Sequence, residues 1–323
     1  MTDIRRCEAL IIGGGPGGLT AGIYLRRFRR DVIVADKGNS RLSLIPVSHN
    51  YPGFPGGVRG GELLGRLHEQ LTCYGGTVDD LEITDLRKDG DIFVASHAQG
   101  EIHTPVVLLA TGVADAGLPV EDWHDAVAAG AVRLCPVCDG YDILDKKVAV
   151  VSQPHNRTGH ALFMRTFSCD VTLFEREPQA PLSPEEEAQL RAADVRYISS
   201  PLKGVTLTDR MAPVLHTEDG EDYRFDVFYP MLGEKARSTL AANIGAACGD
   251  CEKLIVDDHQ RPTVPGLFAV GDVVIGLNQI SVAIGQAAIA ATAIHNALPW
   301  QFRQREHHGQ GTPEEIRGQT RRV

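Results

Sequence analysis

The chain has 323 residues, more than one compact core usually holds, and we therefore expect two domains. Its formal net charge of −10 argues against a nucleic-acid-binding surface, which requires clustered lysine and arginine. No apolar run approaches the roughly 20 residues that span a bilayer, and the apolar part of the first segment is too short for a signal peptide. The sequence thus predicts a cytoplasmic protein with no nucleic-acid partner and no membrane partner.

The first forty residues have the pattern of a strand, a glycine-rich turn, a helix and a second strand. The apolar stretch Glu8–Ile12 precedes GGGPGG, whose Gly13, Gly15 and Gly18 have the GxGxxG spacing. The first glycine permits a tight turn, the second lets the backbone approach a pyrophosphate, and the third lets helix and strand pack closely. Asp36 ends the next strand, where a carboxylate accepts a ribose hydroxyl. A purely structural turn is the alternative, but the complete order of elements favours a dinucleotide site.

A second strand–loop–helix–strand pattern occupies residues 146–175, about 140 residues after the first. Further along, Ser183 as N-cap and Pro184 at the first helical position predict a helix, and a helix rich in small residues is expected over 280–298. Two nucleotide-binding patterns in one chain favour a duplicated α/β architecture with one unit inserted in the other. The polar tail at 301–323 is predicted to be mobile.

The chain has seven cysteines, an odd number that does not suit the disulfide framework of a secreted protein. In a reducing compartment, a CxxC pair is more often catalytic or metal-binding. Cys73 and Cys169 stand outside any such spacing, and we expect them to pack as small apolar residues.

Residues 135–142 read CPVCDGYD, in which Cys135 and Cys138 have the spacing of a redox disulfide. That spacing lowers one thiol pKa from about 8.5 to about 7 or below, and the pair opens and closes readily. Asp139 follows directly, placed to exchange a proton with a departing thiolate. Half of a zinc site is an alternative, because Cys248 and Cys251 form a second CxxC pair, but ribbon-type sites keep their pairs about 15–20 residues apart. We therefore predict no metal site and treat the second pair as an incidental loop pair.

Five motifs, taken in order, resemble the low-molecular-weight thioredoxin reductase family over nearly the whole chain. They are GGGPGG (13–18), HNYPGFPGG (49–57), ATG (110–112), CPVCDG (135–140) and GLFAVGD (266–272). The resemblance implies an α/β fold of two Rossmann-like, three-layer ββα nucleotide-binding domains. Residues 1–117 and 245–323 would form a discontinuous FAD domain, and 118–244 an inserted domain that carries the redox cysteines.

The resemblance also implies roles for individual residues. Cys138 would face the flavin C4a, Cys135 would attack the substrate disulfide, and Asp139 would be the acid–base group. Reduced flavin would open the disulfide, and the dithiol would then reduce a thioredoxin-like protein through a mixed disulfide. A homodimer is a further expectation. The FAD-binding residues would be Gly13, Gly15, Gly18, Asp36, Asn50, Asp272 near the ribityl or phosphate region, and a turn of Gln279, Ile280 and Ser281 beside the isoalloxazine.

Two departures separate the chain from the NADPH-dependent members of that family. The loop at 152–160 keeps only Gly159, and its Pro154 offers no N–H to a pyrophosphate. The basic cluster expected after the next strand is replaced by FERE at 174–177, whose carboxylates would repel a 2′-phosphate. We therefore predict that NADPH is not the donor and that the chain belongs to a pyridine-nucleotide-independent branch, supplied by ferredoxin or by a second FAD.

Other functions stay open at this point. A divergent but working nicotinamide site would restore the usual donor. The same cysteines could run in reverse, in a flavin-dependent oxidase that takes electrons from a dithiol and passes them to oxygen. A third alternative is a flavin-binding redox sensor without turnover. The stretch RLSLIPVSHNYPG (41–53) also departs from the GGQL-type sequence of the family, and His49 within it is either functional or structural.

Overall fold

The computed structural model of this chain describes residues 3–117, 120, 123–153, 156–178 and 180–303, without the side chains of residues 123 and 124. Most of the predicted mobile tail at 301–323 lies outside the described residues, and so does Pro154 of the second loop. Both predictions therefore stay predictions.

The part of the chain that the structure describes contains 18 β-strands and eight α-helices. The strands are, in chain order, β1 (Asp3–Arg6), β2 (Ala9–Ile12), β3 (Val32–Asp36), β4 (Val78–Asp80), β5 (Asp85–Asp89), β6 (Ile92–His97), β7 (Gly100–Thr104), β8 (Val107–Leu109), β9 (Val113–Asp115), β10 (Val148–Ser152), β11 (Val171–Glu175), β12 (Arg196–Ile198), β13 (Leu202–Leu207), β14 (Pro213–Thr217), β15 (Asp222–Arg224), β16 (Val227–Met231), β17 (Glu234–Ala236) and β18 (Leu267–Ala269). The helices are α1 (Pro16–Arg27), α2 (Gly60–Cys73), α3 (Trp123–Ala128), α4 (Pro136–Asp139), α5 (Arg157–Met164), α6 (Pro184–Ala192), α7 (Thr239–Asn243) and α8 (Ile280–Ala297).

A five-stranded parallel sheet joins the two ends of the chain. Its order is β18–β8–β2–β3–β4, and all of its pairings are parallel. All four residues of β2 are buried, because α1 and α8 cover one face of the sheet. Residues of β5–β7 and of the 236–274 region pack on the other face. The first predicted strand–turn–helix–strand unit is therefore the centre of this sheet.

A second parallel sheet lies wholly within residues 148–231. It has the order β12–β11–β10–β16, with α5 and α6 packed on it and the antiparallel β13–β14–β15 sheet beside it. Ser183 caps α6 through a capping box with Glu186, and Pro184 opens the helix, as predicted. Two Rossmann-like units, one inserted in the other, confirm the predicted α/β fold class.

The chain passes between the two units along one antiparallel ladder. In it, β9 pairs with β17, so that Val113 lies opposite Ala236 and Asp115 opposite Glu234. These strands lie next to the predicted entry and exit points of the inserted domain at residues 118 and 244. The exact boundaries, 1–117 with 245–323 and 118–244, stay predictions.

Helix α8 is, within the described residues, the one helix long and apolar enough to cross a bilayer by length and composition alone. About a third of its residues are buried. Those residues, Ala287 and Ile294 among them, pack in the same core cluster as Leu19 and Leu25 of α1. Helix α8 thus serves as a core helix of the larger unit.

Two expectations about cysteine packing are wrong. Cys73 is exposed because it is the last residue of α2, and Cys169 is exposed in the connection that precedes β11. A small apolar side chain is buried only where the fold covers its position, and neither the end of α2 nor the connection before β11 is covered.

A buried arginine fastens the C-terminal end of α8 to the N-terminal unit. The Arg30 side chain is only 1% exposed and pairs with Glu8 at 2.9 Å. Its guanidinium also donates to the carbonyls of His295 (2.9 Å) and Pro299 (2.8 Å). Carbonyls at the C-terminal end of a helix have no amide donor within that helix. Arg30 therefore supplies hydrogen bonds to acceptors that the helix itself leaves unpaired.

We expect Arg30→Ala to lower the free energy of unfolding by about 3 kcal/mol, because it removes the ion pair with Glu8 and the guanidinium donor of the carbonyls at the end of α8. Urea unfolding followed by circular dichroism measures the change. Lys37→Ala is the matched control, since the Lys37–Glu82 pair is exposed and should contribute less than about 1 kcal/mol. Equal effects of the two substitutions would contradict this role of Arg30.

Candidate redox-active site

One cavity of about 410 Å³ collects most of the predicted site residues. It lies outside the carboxyl ends of β2, β3, β8 and β18, where open α/β sheets bind their ligands. The inserted unit closes its other side with the redox cysteines. The predicted residues that line it are Gly13, Gly15, Asp36, Asn50, Cys135, Cys138, Asp139, Asp272, Gln279 and Ile280. Gly18 and Ser281 are not part of its lining.

The glycine turn has the backbone that the spacing predicts. Gly13 has φ +112°, and a Cβ on it would lie 2.4 Å from the carbonyl oxygen of Ala110. A Cβ on Gly18 would lie 1.8 Å from the carbonyl oxygen of Gly13, so Gly18 acts through packing of α1 on the turn. Gly15 is the N-cap of the 12-residue α1 and offers no side-chain acceptor, which leaves the first amides of the helix to face the cavity.

Asp36 and an arginine that the motifs do not predict lie on the walls of this cavity. Asp36 ends β3, and the glycine turn packs so closely on it that a Cβ on Gly14 would lie 2.7 Å from its Oδ2. Arg41 donates twice to Asp115, at 2.6 and 2.9 Å, and lies 3.6 Å from Asp272. Burial raises the pKa of Asp272, against the opposing effect of Arg41. Arg41 and Asp272 both line the cavity, which therefore offers a cation beside a carboxylate.

Cys135 and Cys138 form a disulfide at the start of α4. The amide of Cys138 donates to the Cys135 sulfur at 3.2 Å. From the other unit, the Gln279 side-chain amide lies 3.4 Å from each sulfur, and its oxygen accepts from Asn50 Nδ2 at 2.8 Å. Gln279 is the N-cap of α8, and Ile280 and Ser281 belong to the first turn of that helix, so the predicted turn at 279–281 is a helix start.

Asp139 is held by the inserted unit on both oxygens. The Tyr229 hydroxyl donates to Oδ1 at 2.8 Å, and Arg133 pairs with Oδ2 at 3.1 Å. Burial raises the pKa of Asp139 above its ordinary value, although the Tyr229 hydrogen bond and the Arg133 charge favour the ionised form. A carboxyl with a raised pKa next to Cys138 is suited to hold a proton for a thiolate.

In the second Rossmann-like unit, buried side chains bond to one another at the end of β11. Glu175 ends β11, the position that corresponds to Asp36 in the first unit, yet its side chain has no exposed surface. Arg157 donates to Glu175 at 2.8 Å and pairs with both oxygens of Glu186 at 2.9 Å, and the Tyr197 hydroxyl donates to Glu175 at 2.6 Å. The Arg157 guanidinium lowers the pKa of Glu186 to about 2. We call Arg157, Glu175, Glu186 and Tyr197 the Arg157 cluster.

The loop of the second unit carries side chains in place of open backbone. Gln153 Nε2 reaches across to the carbonyl of Leu232. Ser152 Oγ lies 2.7 Å from His160 Nδ1, and a Cβ on Gly159 would lie 2.3 Å from Asn156 Oδ1. In the described part of this loop, side chains therefore occupy the space that a glycine-rich turn would leave open.

The sequence did not predict Arg41, Asp115, Arg133 or Tyr229 at the site. The only available signal was the departure of residues 41–53 from the family pattern. Arg41 and Tyr229 meet their partners Asp115 and Asp139 across long sequence separations, whereas Arg133 pairs with Asp139 only six residues along the chain.

We expect Gly18→Ala to weaken FAD binding about 5- to 100-fold, because relief of the overlap with Gly13 displaces the turn at about 1–3 kcal/mol. The flavin content per purified chain and a fluorescence titration of the apoprotein measure the effect. Gly61→Ala is the matched control, since it lies in α2 with open space around it. Full flavin retention by Gly18→Ala would refute this reading of the turn.

We expect Asp139→Asn to remove a pH-dependent loss of stability. Because the folded-state pKa of Asp139 is raised, the unfolded chain ionises first as the pH rises through about 3.8, and the free energy of unfolding falls until the folded carboxyl also ionises. Urea midpoints at several pH values between 4 and 7 should therefore move in favour of the variant as the pH increases. A constant difference between the two proteins would show that Asp139 does not titrate in this way.

Known proteins are similar to this chain over most of its length. A thioredoxin reductase of Peptoclostridium acidaminophilum is 28% identical over 317 residues, which cover 91% of this chain and 98% of that protein. The crystal structure of thioredoxin reductase from Streptococcus pyogenes MGAS5005 has a TM-score of 0.81 at 25% identity and covers 90% of this chain and 97% of its own. That of the atypical thioredoxin reductase TRi from Desulfovibrio vulgaris Hildenborough has a TM-score of 0.51 at 27% identity, with 91% and 100% covered.

The family model of the pyridine nucleotide-disulphide oxidoreductases matches residues 8–287, which contain both sheets and the redox disulfide. With its disulfide placed over the ligand cavity of the larger unit, the chain belongs to this family and is a thioredoxin-reductase-like oxidoreductase that acts on a disulfide.

Proposed function

We propose that this protein is an FAD-dependent reductase of a thioredoxin-like disulfide, with an electron donor other than NADPH. The observation that carries the choice of donor is the Arg157 cluster, which occupies the position where the second unit would bind a nucleotide. Ferredoxin or a second FAD is the donor that we propose. A cytoplasmic location and a homodimeric state remain predictions from the sequence.

The thioredoxin-reductase-like fold implies FAD binding, and the residues of the large cavity fit that cofactor. The glycine turn and the start of α1 would hold the pyrophosphate, and Asp36 would accept the adenosine ribose hydroxyls. Arg41 would add a positive charge beside Asp272. When bound, FAD supplies the electron pair that opens the disulfide.

The side chains around the cysteines support thiol chemistry in a defined order. Cys138 and Cys135 are both in reach of the Gln279 amide, which can donate to a thiolate on either sulfur. Asp139, with its raised pKa, would protonate the thiolate of Cys138 once the disulfide opens. The Cys135 thiolate would then attack the substrate disulfide, and Cys138 would resolve the mixed disulfide.

Three features of the Arg157 cluster argue against NADPH as the donor. The Glu175 side chain has no exposed surface, so a ribose hydroxyl would not reach it without a rearrangement, although its Oε2 has no hydrogen-bond partner while Oε1 receives both Arg157 and Tyr197. Arg157, the cation of this cluster, is already neutralised by two carboxylates and is not available to a 2′-phosphate. Breaking this buried network would leave an uncompensated charge, at about 3–5 kcal/mol.

A thioredoxin-like protein is the proposed substrate. The support is twofold. The relatives described above are themselves called thioredoxin reductases. Exposed apolar side chains also lie next to the cysteines, with Val137 of α4 50% exposed and Tyr141, just after that helix, 77% exposed, as a protein substrate requires.

An anaerobic titration of the purified flavoprotein tests the donor. We expect NADPH and NADH to leave the flavin absorbance oxidised, while reduced ferredoxin or dithionite bleaches it. Stoichiometric bleaching by NADPH would overturn this choice of donor. The flavin content per chain, measured in the same sample, tests for a second FAD.

Three further measurements separate this function from its alternatives. Cys138→Ser should keep FAD and abolish thioredoxin reduction, whereas Cys251→Ser, in the exposed second pair, should change neither. Release of peroxide when a dithiol is added would favour a dithiol oxidase that uses oxygen. Absence of turnover with every donor would favour a redox sensor.

A further inference from the structure

The Asp139 carboxyl is held by two side chains to which the function proposed above gives no role. The Tyr229 hydroxyl donates to Oδ1 at 2.8 Å, and Arg133 Nη1 lies 3.1 Å from Oδ2. We call Arg133 and Tyr229 the Asp139 clamp. Both residues belong to the inserted unit, as do Asp139 and the two redox cysteines. The arrangement is therefore internal to that unit and does not depend on how the two units face one another.

Backbone pairing fixes the positions of both clamp residues. Tyr229 lies in β16, and its side chain has no exposed surface. Val132 forms a parallel bridge with Phe228, and the Arg133 amide donates to the Phe228 carbonyl at 2.9 Å. Arg133 Nε also donates to the carbonyl of Gly130 at 3.2 Å, which orients the guanidinium. The two donors therefore take their places from the same strand of the sheet, and not from Asp139 itself.

Asp139 depends on partners outside its own helix, because that helix is short. Helix α4 has four residues, and a single turn is not stable by its own hydrogen bonds. The Cys135–Cys138 disulfide fixes the start of the turn, and the clamp holds Asp139 at its end. When the disulfide opens, the covalent link is lost and the clamp contacts remain. The clamp is thus the part of the structure that can hold the carboxyl in the dithiol state.

Burial and the clamp act on the Asp139 proton in opposite directions. Burial has the largest effect and raises the pKa of this carboxyl, whereas the Tyr229 hydrogen bond and the Arg133 charge lower it. Asp142, which itself lies 2.8 Å from His49, also faces Asp139 and raises that pKa. Burial raises the pKa of Tyr229 as well, so its hydroxyl keeps its proton and remains a donor. A carboxyl balanced in this way can both hold a proton and release it.

We propose that the Asp139 clamp positions the acid Asp139 and sets how readily it gives its proton to Cys138. Tyr229 and Arg133 are thus positioning residues, and this inference rests on the proposed function. Two electrons from the donor of that function break the S–S bond and leave a thiolate on each sulfur. The O–H bond of Asp139 then breaks, and its proton goes to the Cys138 sulfur. The clamp donors stabilise the new carboxylate, and Cys135 remains the thiolate that attacks the substrate.

The pH dependence of turnover tests this role. Because the protonated form of Asp139 is the active one, turnover falls as the pH rises through the pKa of this carboxyl. Tyr229→Phe takes a donor from the carboxylate, so the carboxyl keeps its proton to a higher pH. We expect the alkaline limb of kcat for thioredoxin reduction to move upward by about one pH unit. The donor used is whichever one bleaches the flavin in the titration described above.

Two further variants and a control separate positioning from a general loosening of the unit. Arg133→Gln should move the limb in the same direction, and Arg133→Lys, which keeps the charge, should bring it back toward the wild-type position. Tyr197→Phe is the matched control, since its hydroxyl makes the same kind of bond to Glu175 at 2.6 Å in the same unit. We expect that control to leave the limb where it is.

A second measurement does not require turnover. Tyr229→Phe should lower the free energy of unfolding more at pH 7 than at pH 4. The reason is that the folded carboxyl of the variant ionises at a higher pH, while the unfolded chain ionises at about 3.8 in both proteins. In an Asp139→Asn background, the same substitution should cost equally at both pH values. Urea midpoints of the four proteins measure this cycle.

An unmoved limb in Tyr229→Phe, or an equal movement in Tyr197→Phe, would overturn the proposal. So would an effect of Tyr229→Phe on stability that is the same at pH 4 and pH 7 with Asp139 in place. A failure of the proposed function looks different, because the wild-type protein would then reduce no thioredoxin with any donor. The stability cycle would still decide whether the clamp acts on the Asp139 proton.

Discussion

The contact of one glutamine amide with two sulfurs is the constraint on which the rest of the site depends. Gln279 begins the long core helix of the larger unit, and the cysteines belong to the inserted unit. A redox disulfide can exchange electrons with a cofactor only if it lies against the cavity that holds it. The interface between the two units must therefore put a polar, hydrogen-bonding surface at the cysteines, and Asn50 completes it by fixing the Gln279 oxygen.

Local features of this fold could be predicted from the sequence because each is determined within one short segment. The glycine turn follows from backbone crowding, with Gly18 packed on Gly13. The start of α6 follows from a capping box at Ser183 that spans four residues. The redox pair follows from the spacing of its cysteines. In each case the interacting groups are close in sequence, so the sequence pattern directly reports the interaction that produces the structure.

The rest of the site could not be predicted, because it is made by side chains far apart in the chain. Arg41 meets Asp115 only after two sheets have formed around them, and His49 meets Asp142 only after the units have docked. The Arg157 cluster was anticipated only in part, as a loss of glycine and of basic residues. Nothing in the sequence showed that Arg157, in the first turn of a helix, would turn inward and neutralise Glu175. The exposure of Cys73 and Cys169 was missed for a similar reason, because burial depends on which face of an element the fold covers.

The Arg157 cluster also restricts how this protein can evolve. Replacing Arg157 alone would strand Glu175 as an unpaired charge in a solvent-free site, and replacing Glu175 alone would strand the arginine. Each single step is thus strongly destabilising, although a joint replacement need not be, because residues in one buried network have non-additive effects. Under the function proposed above, a nucleotide site in the second unit would arise only through coupled substitutions of these residues. The cluster therefore makes single-residue routes to such a site strongly unfavourable.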